Sequence, residues 1–121
     1  EVRADGAPAP VGPYSQAVVC GDLVFCSGQL GLDPATGAMA EGAVAQARQA
    51  LANLQAVLQA AGSSLDRAIK VTVYMTDLAH FPEVNKAYAD FFEPPFPART
   101  AIQVAALPKG GEAEIDVIAL R

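Results

Sequence analysis

The stretch RAIKVTVYMTD, residues 67–77, constrains the fold most: Ile69, Val71, Val73 and Met75 alternate with Lys70, Thr72, Tyr74 and Thr76. Successive side chains of an extended chain point to opposite faces, so this period of two predicts a strand with one apolar and one polar face. Such a strand is stable only when its apolar face is covered, and the preceding segment supplies a cover. Between Gly42 and Gly62, Val44, Ala47, Leu51, Leu54 and Leu58 recur at spacings of three and four, with Gln46, Arg48, Gln49, Asn53 and Gln59 on other faces. That spacing predicts an amphipathic helix ended by Gly62.

The remaining segments repeat the two periods. AVVC-GD-LVFCSGQLG (17–31) reads as two strand runs broken by a Gly21-Asp22 hairpin turn, and DPATG (33–37) as a second turn. SGQLG (27–31) lacks the third glycine and following helix of a dinucleotide fingerprint, which leaves a bulge or turn. Val84, Tyr88 and Phe91 return at helical spacing between Pro82 and Phe92; Pro82 suits the first turn, Asp77 or His80 is placed to cap it, and Pro94, Pro95 and Pro97 forbid its continuation. Two strands close the chain, Thr100–Ala106 and Ala113–Leu120, linked by LPKGGE, while residues 4–13, ADGAPAPVGP, form an irregular arm. The order β-β-(β)-α-β-α-β-β predicts an α+β layer over residues 1–121, one domain, with both helices on one sheet face.

At 121 residues and 52% hydrophobic content, the chain fits one globular domain, small enough that self-association would add useful burial. A net charge of −5 repels phosphate backbones, so nucleic acid is a poor partner. Nowhere do 18 uncharged apolar residues follow one another, which argues against a membrane span and for a soluble, cytoplasmic setting. Cys20 and Cys26 lack CxxC spacing and read as buried free thiols; His80, the one histidine, has no clustered ligands around it and fits a loop or helix cap better than a metal site.

Two features carry possible chemistry. In FPARTA (96–101), Pro95 and Pro97 stiffen the entry to a strand and present Arg99 from a defined point. Its guanidinium suits bidentate capture of a carboxylate, the plainer alternative being a surface ion pair with one of thirteen acids. In AEIDVIAL, Glu114 and Asp116 share the strand face opposite Ile115 and Val117. A solvated strand edge explains them; a partly covered face would instead make a carboxylate near Arg99 a general base for water. If LPKGGE is a simple hairpin loop, Arg99 and Glu114 lie roughly 20 Å apart along the ladder at strand rise. Either the last two strands are not neighbours, or the pair forms across a subunit interface. Tyr14, after Gly12-Pro13, can fold over a pocket or simply pack the arm, and Asn85 is either a solvated amide or a pocket hydrogen-bonding group.

GPYSQAV (12–18), VFCSGQLGLDPATG (24–37), QARQALANLQAVLQAAG, KVTVYMTDL (70–78), FPEVNKAYADFF (81–92) and FPARTAIQVAALPKGGEAEIDVIAL (96–120) together resemble the RidA (YjgF-like) family of reactive-imine deaminases, in the same order over nearly the whole chain. The resemblance implies a chorismate-mutase-like (ferredoxin-like) α+β fold and a homotrimer whose sheets form a central barrel, with pockets between subunits. It implies hydrolysis of 2-imino acids or their enamine tautomers, such as 2-iminobutanoate and 2-iminopropanoate, released by pyridoxal-phosphate dehydratases, to 2-oxo acids and ammonia. No cofactor is implied. By motif, Arg99 looks like the family's carboxylate-binding arginine and Glu114 like the acid that positions or activates water. Tyr14 and Asn85 look like pocket-lining residues, and Thr100 and Ala101 would offer backbone contacts to the imine nitrogen or water.

Many members carry cysteine where this chain has Ala101, so a thiol role is unavailable here, and the EPP segment before FPAR is short. The alternative reading is a noncatalytic trimer that binds or senses small 2-oxo acids, which needs Arg99 but no water-directing acid. Ribonuclease activity has also been attached to the family; the acidic balance and the lack of a histidine cluster argue against it.

Overall fold

The computed structural model describes residues 1–121. Its elements run β1 (Ala17–Cys20), β2 (Leu23–Cys26), β3 (Gln29–Leu30), α1 (Ala43–Ala60), β4 (Ala68–Met75), α2 (Phe81–Ala89), β5 (Ala98–Gln103) and β6 (Ala113–Leu120), in the predicted order. They build an α+β fold with one mixed sheet of order β1-β2-β6-β4-β5, β3 pairing β6 beside β2.

The hairpin turn at Gly21 is as expected: Cys20 pairs with Leu23, and Gly21 takes φ 59°, which a side chain would resist. The end of α1 also follows its sequence. Gly62 has φ 81°, its N–H bonds the Gln59 carbonyl, and the Ser63 N–H bonds that of Leu58, a Schellman closure.

Pairing settles where the last strands lie. LPKGGE does not close a hairpin, so the last two strands are not neighbours, one of the two arrangements left open: β4 lies between them, parallel to β5 and antiparallel to β6. β6 is consequently central, and Glu114 and Asp116 do not lie on a sheet edge. Nor does Ile69 share the core face of β4. Ala68 pairs with Ala119 and Lys70 with Ile118, so Ile69 is the extra residue of a bulge and is turned outward, 42% exposed. A second irregularity falls at Ser27–Gly28, within the predicted bulge or turn. Four steps from Phe25 to Gln29 face three from Ile118 to Ile115 along β6, and the chain then resumes as β3.

The core lies between sheet and helices. Val71, Val73, Met75, Ile115 and Val117 face Leu51, Leu54, Val57 and Leu58 of α1 and Val84 of α2, all almost fully buried. Truncating one of these leucines to alanine typically costs about 2–5 kcal/mol. Gln46 and Asn53 depart from their expected place on the polar side of α1, because both are buried. Asn53 Nδ2 donates to the carbonyls of Leu30 and Leu32, while Gln46 accepts from the Glu112 N–H and donates to the Ala40 carbonyl. Two loops thus satisfy their backbone on helix side chains. Gly31 permits that approach: a Cβ there would lie 2.4 Å from Gln46 Cα.

Both cysteines are free, Cys26 buried and Cys20 exposed, so the expectation of two buried thiols holds for one. Burial and the nearby Asp116 carboxylate push the Cys26 thiol up to about 12, which leaves it an inert core residue. His80 ends a 3-10 turn before α2 without a side-chain cap bond; Asp77 caps that turn by accepting from the Ala79 N–H. No helix is long and apolar enough to cross a membrane.

Candidate functional site

The register divides the chemistry between the two sheet faces. Arg99 pairs with Val71, a core-facing residue, so its side chain leaves the helix side of β5 and reaches α2. Glu114 pairs with Tyr74 and belongs to the opposite, open face with Asp116, which accepts from the Tyr74 hydroxyl at 3.0 Å. Two strand spacings and three residues separate the two positions, roughly 14 Å between Cα atoms. Arg99 and Glu114 therefore do not meet within one chain.

Around Arg99 the structure builds a defined cation. Nη1 donates to Asn85 Oδ1 at 2.7 Å, and Cζ lies 4.8 Å from the centroid of the Tyr88 ring and 5.3 Å from that of Phe81. Of the three ion pairs in the chain, Arg3–Glu1, Arg48–Asp90 and His80–Asp77, none involves Arg99, which removes the surface-ion-pair reading. The guanidinium instead borders a cleft of about 340 Å³ with Asn85, Tyr88, Ala89, Phe96 and Pro97. Asn85 is thus a hydrogen-bond partner of Arg99 and lines the same cleft.

Tyr14 and Glu114 meet in a second cleft, also about 340 Å³, walled by Val11 from the arm, Ser27 and Gly28 from the β2–β3 break, and Lys109 from the β5–β6 connection. The arm is held there by Gln16, whose side chain accepts from the Ala4 N–H and donates to the carbonyls of Ala4 and Pro8. Gly28 packs directly on the acid, since a Cβ there would lie 3.0 Å from Glu114 Cδ. Burial, reinforced by the Asp116 charge, raises the pKa of Glu114 and makes its carboxylate a stronger base. Lys109 stands in the left-handed region at φ 57°, an unusual place for a lysine, which keeps the turn at the rim of this cleft.

Thr100 and Ala101 divide as neighbours on a strand must. Thr100 turns to the open face, where Lys70 donates to its hydroxyl at 2.6 Å, while Ala101 packs half-buried against the core. Their backbone belongs to an edge strand that pairs only with β4. The sequence reading missed Phe81 and Tyr88 beside Arg99, and Ser27, Gly28 and Lys109 beside Glu114. The aromatic pair left a signal in its four- and seven-residue spacing from Phe81 through Asn85 to Tyr88, and SGQLG was conspicuous but read only as backbone geometry.

The open face carries the remaining feature. Val18 pairs with Phe25 and Phe25 with Ile118, and Val18, Phe25, Ile102 and Leu120 are 48%, 41%, 39% and 41% exposed on a face no helix covers.

Comparison with known proteins agrees with this architecture. A family model described as endoribonuclease L-PSP matches residues 4–121. The chain is 50% identical over 116 residues to a 2-iminobutanoate/2-iminopropanoate deaminase of Bos taurus, covering 95% of this chain and 85% of that protein. It is also 50% identical over 118 residues to the RutC family protein y4sK of Sinorhizobium fredii, covering 97% and 94%. The crystal structure of RidA from the Antarctic bacterium Psychrobacter sp. PAMC 21119 superposes with a TM-score of 0.96 at 48% identity, over 99% of this chain and 98% of that one. From the sheet order to the motifs around Arg99 and Glu114, the chain belongs to the endoribonuclease L-PSP family, the RidA/YjgF group.

Proposed function

We propose that the protein hydrolyses short reactive 2-imino acids, such as 2-iminobutanoate and 2-iminopropanoate, to 2-oxo acids and ammonia. It acts as a homotrimer in which Arg99 and Asn85 of one copy face Tyr14 and Glu114 of the next. The observation that carries this reading is the state of Arg99: a fixed guanidinium at a cleft with no acid to neutralise it. A cation so placed invites an anionic ligand, and its planar donors match a carboxylate. The opposite facing of Arg99 and Glu114 supports assembly between copies, and the uncovered apolar residues of the open sheet face supply a surface for it. The named deaminase relative supports the reaction.

In the proposed reaction Arg99 holds the substrate carboxylate, so that C2 of the imine is presented to water in a fixed orientation. Glu114 accepts a proton as water oxygen bonds to C2, and the C=N electron pair moves to nitrogen, giving a tetrahedral carbinolamine. Glu114 returns that proton to nitrogen, giving the neutral carbinolamine; the hydroxyl proton then passes through Glu114 to the amine, the C–N bond breaks as the oxygen lone pair forms the carbonyl, and ammonia leaves. The raised pKa of Glu114 suits a group that must first take and then return a proton. Because the imine is already electrophilic, orientation and one base meet the need without a nucleophile; Ala101 provides no thiol, and the Cys26 thiol is buried.

The direct test generates 2-iminobutanoate in situ from threonine with a dehydratase and follows its decay. Wild-type protein accelerates the decay and Arg99→Ala does not; equal decay with and without wild-type protein refutes the activity for this substrate.

A further inference from the structure

α2 offers Phe81, Asn85 and Tyr88 at i, i+4 and i+7, a single helical face, and that face lies against Arg99. We infer that Phe81 and Tyr88 are positioning residues for carboxylate capture, holding the Arg99 guanidinium through their ring faces so that its outward N–H donors stay free for the ligand. This inference rests on the imino-acid reading above and assigns a role to residues that the helical pattern alone marks only as packing.

An exposed arginine serves a ligand only if it is held without its donors being used up. Arg99 extends from an edge strand, where a long side chain has many rotamers and each disordered one weakens binding. An acid partner would fix it but would occupy the donors that a substrate carboxylate needs, and no acid does so here. An aromatic ring attracts the cation through its π-face and uses no N–H. Asn85 accepts from Nη1 alone, which orients the fork without neutralising its charge. Tyr88 is itself immobilised, 7% exposed and stacked on Phe92 with ring centroids 4.5 Å apart. Its hydroxyl is buried without a hydrogen-bond partner, so the site uses the ring and not the hydroxyl.

The test measures the Kd of 2-oxobutanoate, a carboxylate of the product class, alongside KM and kcat for imine hydrolysis. Tyr88→Phe, Tyr88→Leu and Phe81→Leu are each made with Arg99 present and in the Arg99→Ala background. Tyr88→Phe matches wild type. Tyr88→Leu and Phe81→Leu raise Kd and KM about five- to tenfold, as loss of one cation–π contact predicts, with kcat changed by less than about twofold. In the Arg99→Ala background neither substitution weakens binding further, because nothing remains for the rings to position. Equal weakening in both backgrounds, or a fall in kcat with KM unchanged, overturns the inference and leaves ordinary packing. Should Tyr88→Leu fail to fold, Phe81→Leu at the half-buried start of α2 decides the matter. A wild type that binds 2-oxobutanoate but hydrolyses no imine refutes the deaminase reading alone, since the binding cycle still tests the rings; one that does neither overturns both.

Discussion

Arg99 and Glu114 leave opposite faces of one sheet, with β4 between their strands: Arg99 registers with the core-facing Val71 and Glu114 with Tyr74. A single chain therefore holds the two proposed half-sites apart, the Arg99 cleft against α2 and the Glu114 cleft beside the arm. Each half-site can be removed separately, and the proposed reaction needs both.

Removing the receptor should cost mainly binding. Arg99→Ala is expected to lower kcat/KM by a factor of about 100, the loss of a charged bidentate contact worth about 1.5–3 kcal/mol. Arg99→Lys recovers little of it, because an ammonium cannot present two parallel donors. Steady-state kinetics on the in situ imine checks both, and a fully active Arg99→Lys would contradict bidentate capture.

Removing the base should change the pH profile. Glu114 must be ionised to accept a proton, and burial together with Asp116 raises its pKa above the ordinary 4.5, so kcat/KM falls on acidification with a midpoint above that value. Glu114→Gln abolishes this acid limb and slows hydrolysis, while 2-oxobutanoate still binds; unchanged turnover would favour a noncatalytic binder. Stability shifts the other way. Burial favours the neutral acid, so the stability contributed by Glu114 is fully present below its unfolded pKa and is lost as pH rises through the raised folded one. Glu114→Gln should therefore raise Tm near about pH 7 and leave it unchanged near about pH 3, read by thermal denaturation at the two values.

What the sequence disclosed, and what it withheld, follows from range. The order of elements was legible because each rests on local periodicity, and β6 falls on Ala113–Leu120 as predicted. Whether the last two strands are neighbours was left open because LPKGGE has the turn residues of a short connection, while the strand that pairs with both, β4, lies 28 residues before β5 (Lys70 to Ala98) and 38 or more before β6 (Met75 to Ala113). The strand before that turn was also displaced: it runs Ala98–Gln103, because its limits are set by pairing with β4 and not by its own side chains. Arg99 and Glu114 stood out in the sequence because few residue types bind carboxylates or move protons, whereas Asn85 and Tyr14 stayed open between pocket and plainer roles until the family resemblance singled them out. The rings beneath Arg99 were not, because Phe81 and Tyr88 obey the same spacing as core residues. Gln46 and Asn53 were placed on the polar side of α1 because periodicity cannot see that two loops need their hydrogen bonds.

Those loop contacts carry their own prediction. Gly31→Ala forces a Cβ to within 2.4 Å of the α1 backbone and should cost about 1–3 kcal/mol or more. Asn53→Ala leaves the Leu30 and Leu32 carbonyls without their buried donor, at a cost of about 1–3 kcal/mol. Chemical denaturation measures both, and a change below 0.5 kcal/mol on that approximate scale would show that the loops are not held by α1.

The open sheet face predicts assembly. Phe25→Glu places a charge in the centre of an apolar patch that also contains Val18 and Ile118, and should convert the proposed trimer to monomers with unchanged far-ultraviolet circular dichroism and no imine hydrolysis. Light scattering coupled to size-exclusion chromatography reads the mass. A trimer that survives the substitution would place the interface elsewhere.

Mixing two impaired variants tests the proposed shared site most directly. Arg99→Ala supplies intact Glu114 and Glu114→Gln supplies intact Arg99, so equal amounts co-assembled at random should rebuild both halves at about one interface in four and restore about a quarter of wild-type activity. Mixed trimers verified by native mass spectrometry that hydrolyse no more imine than either variant alone would contradict a site built between copies.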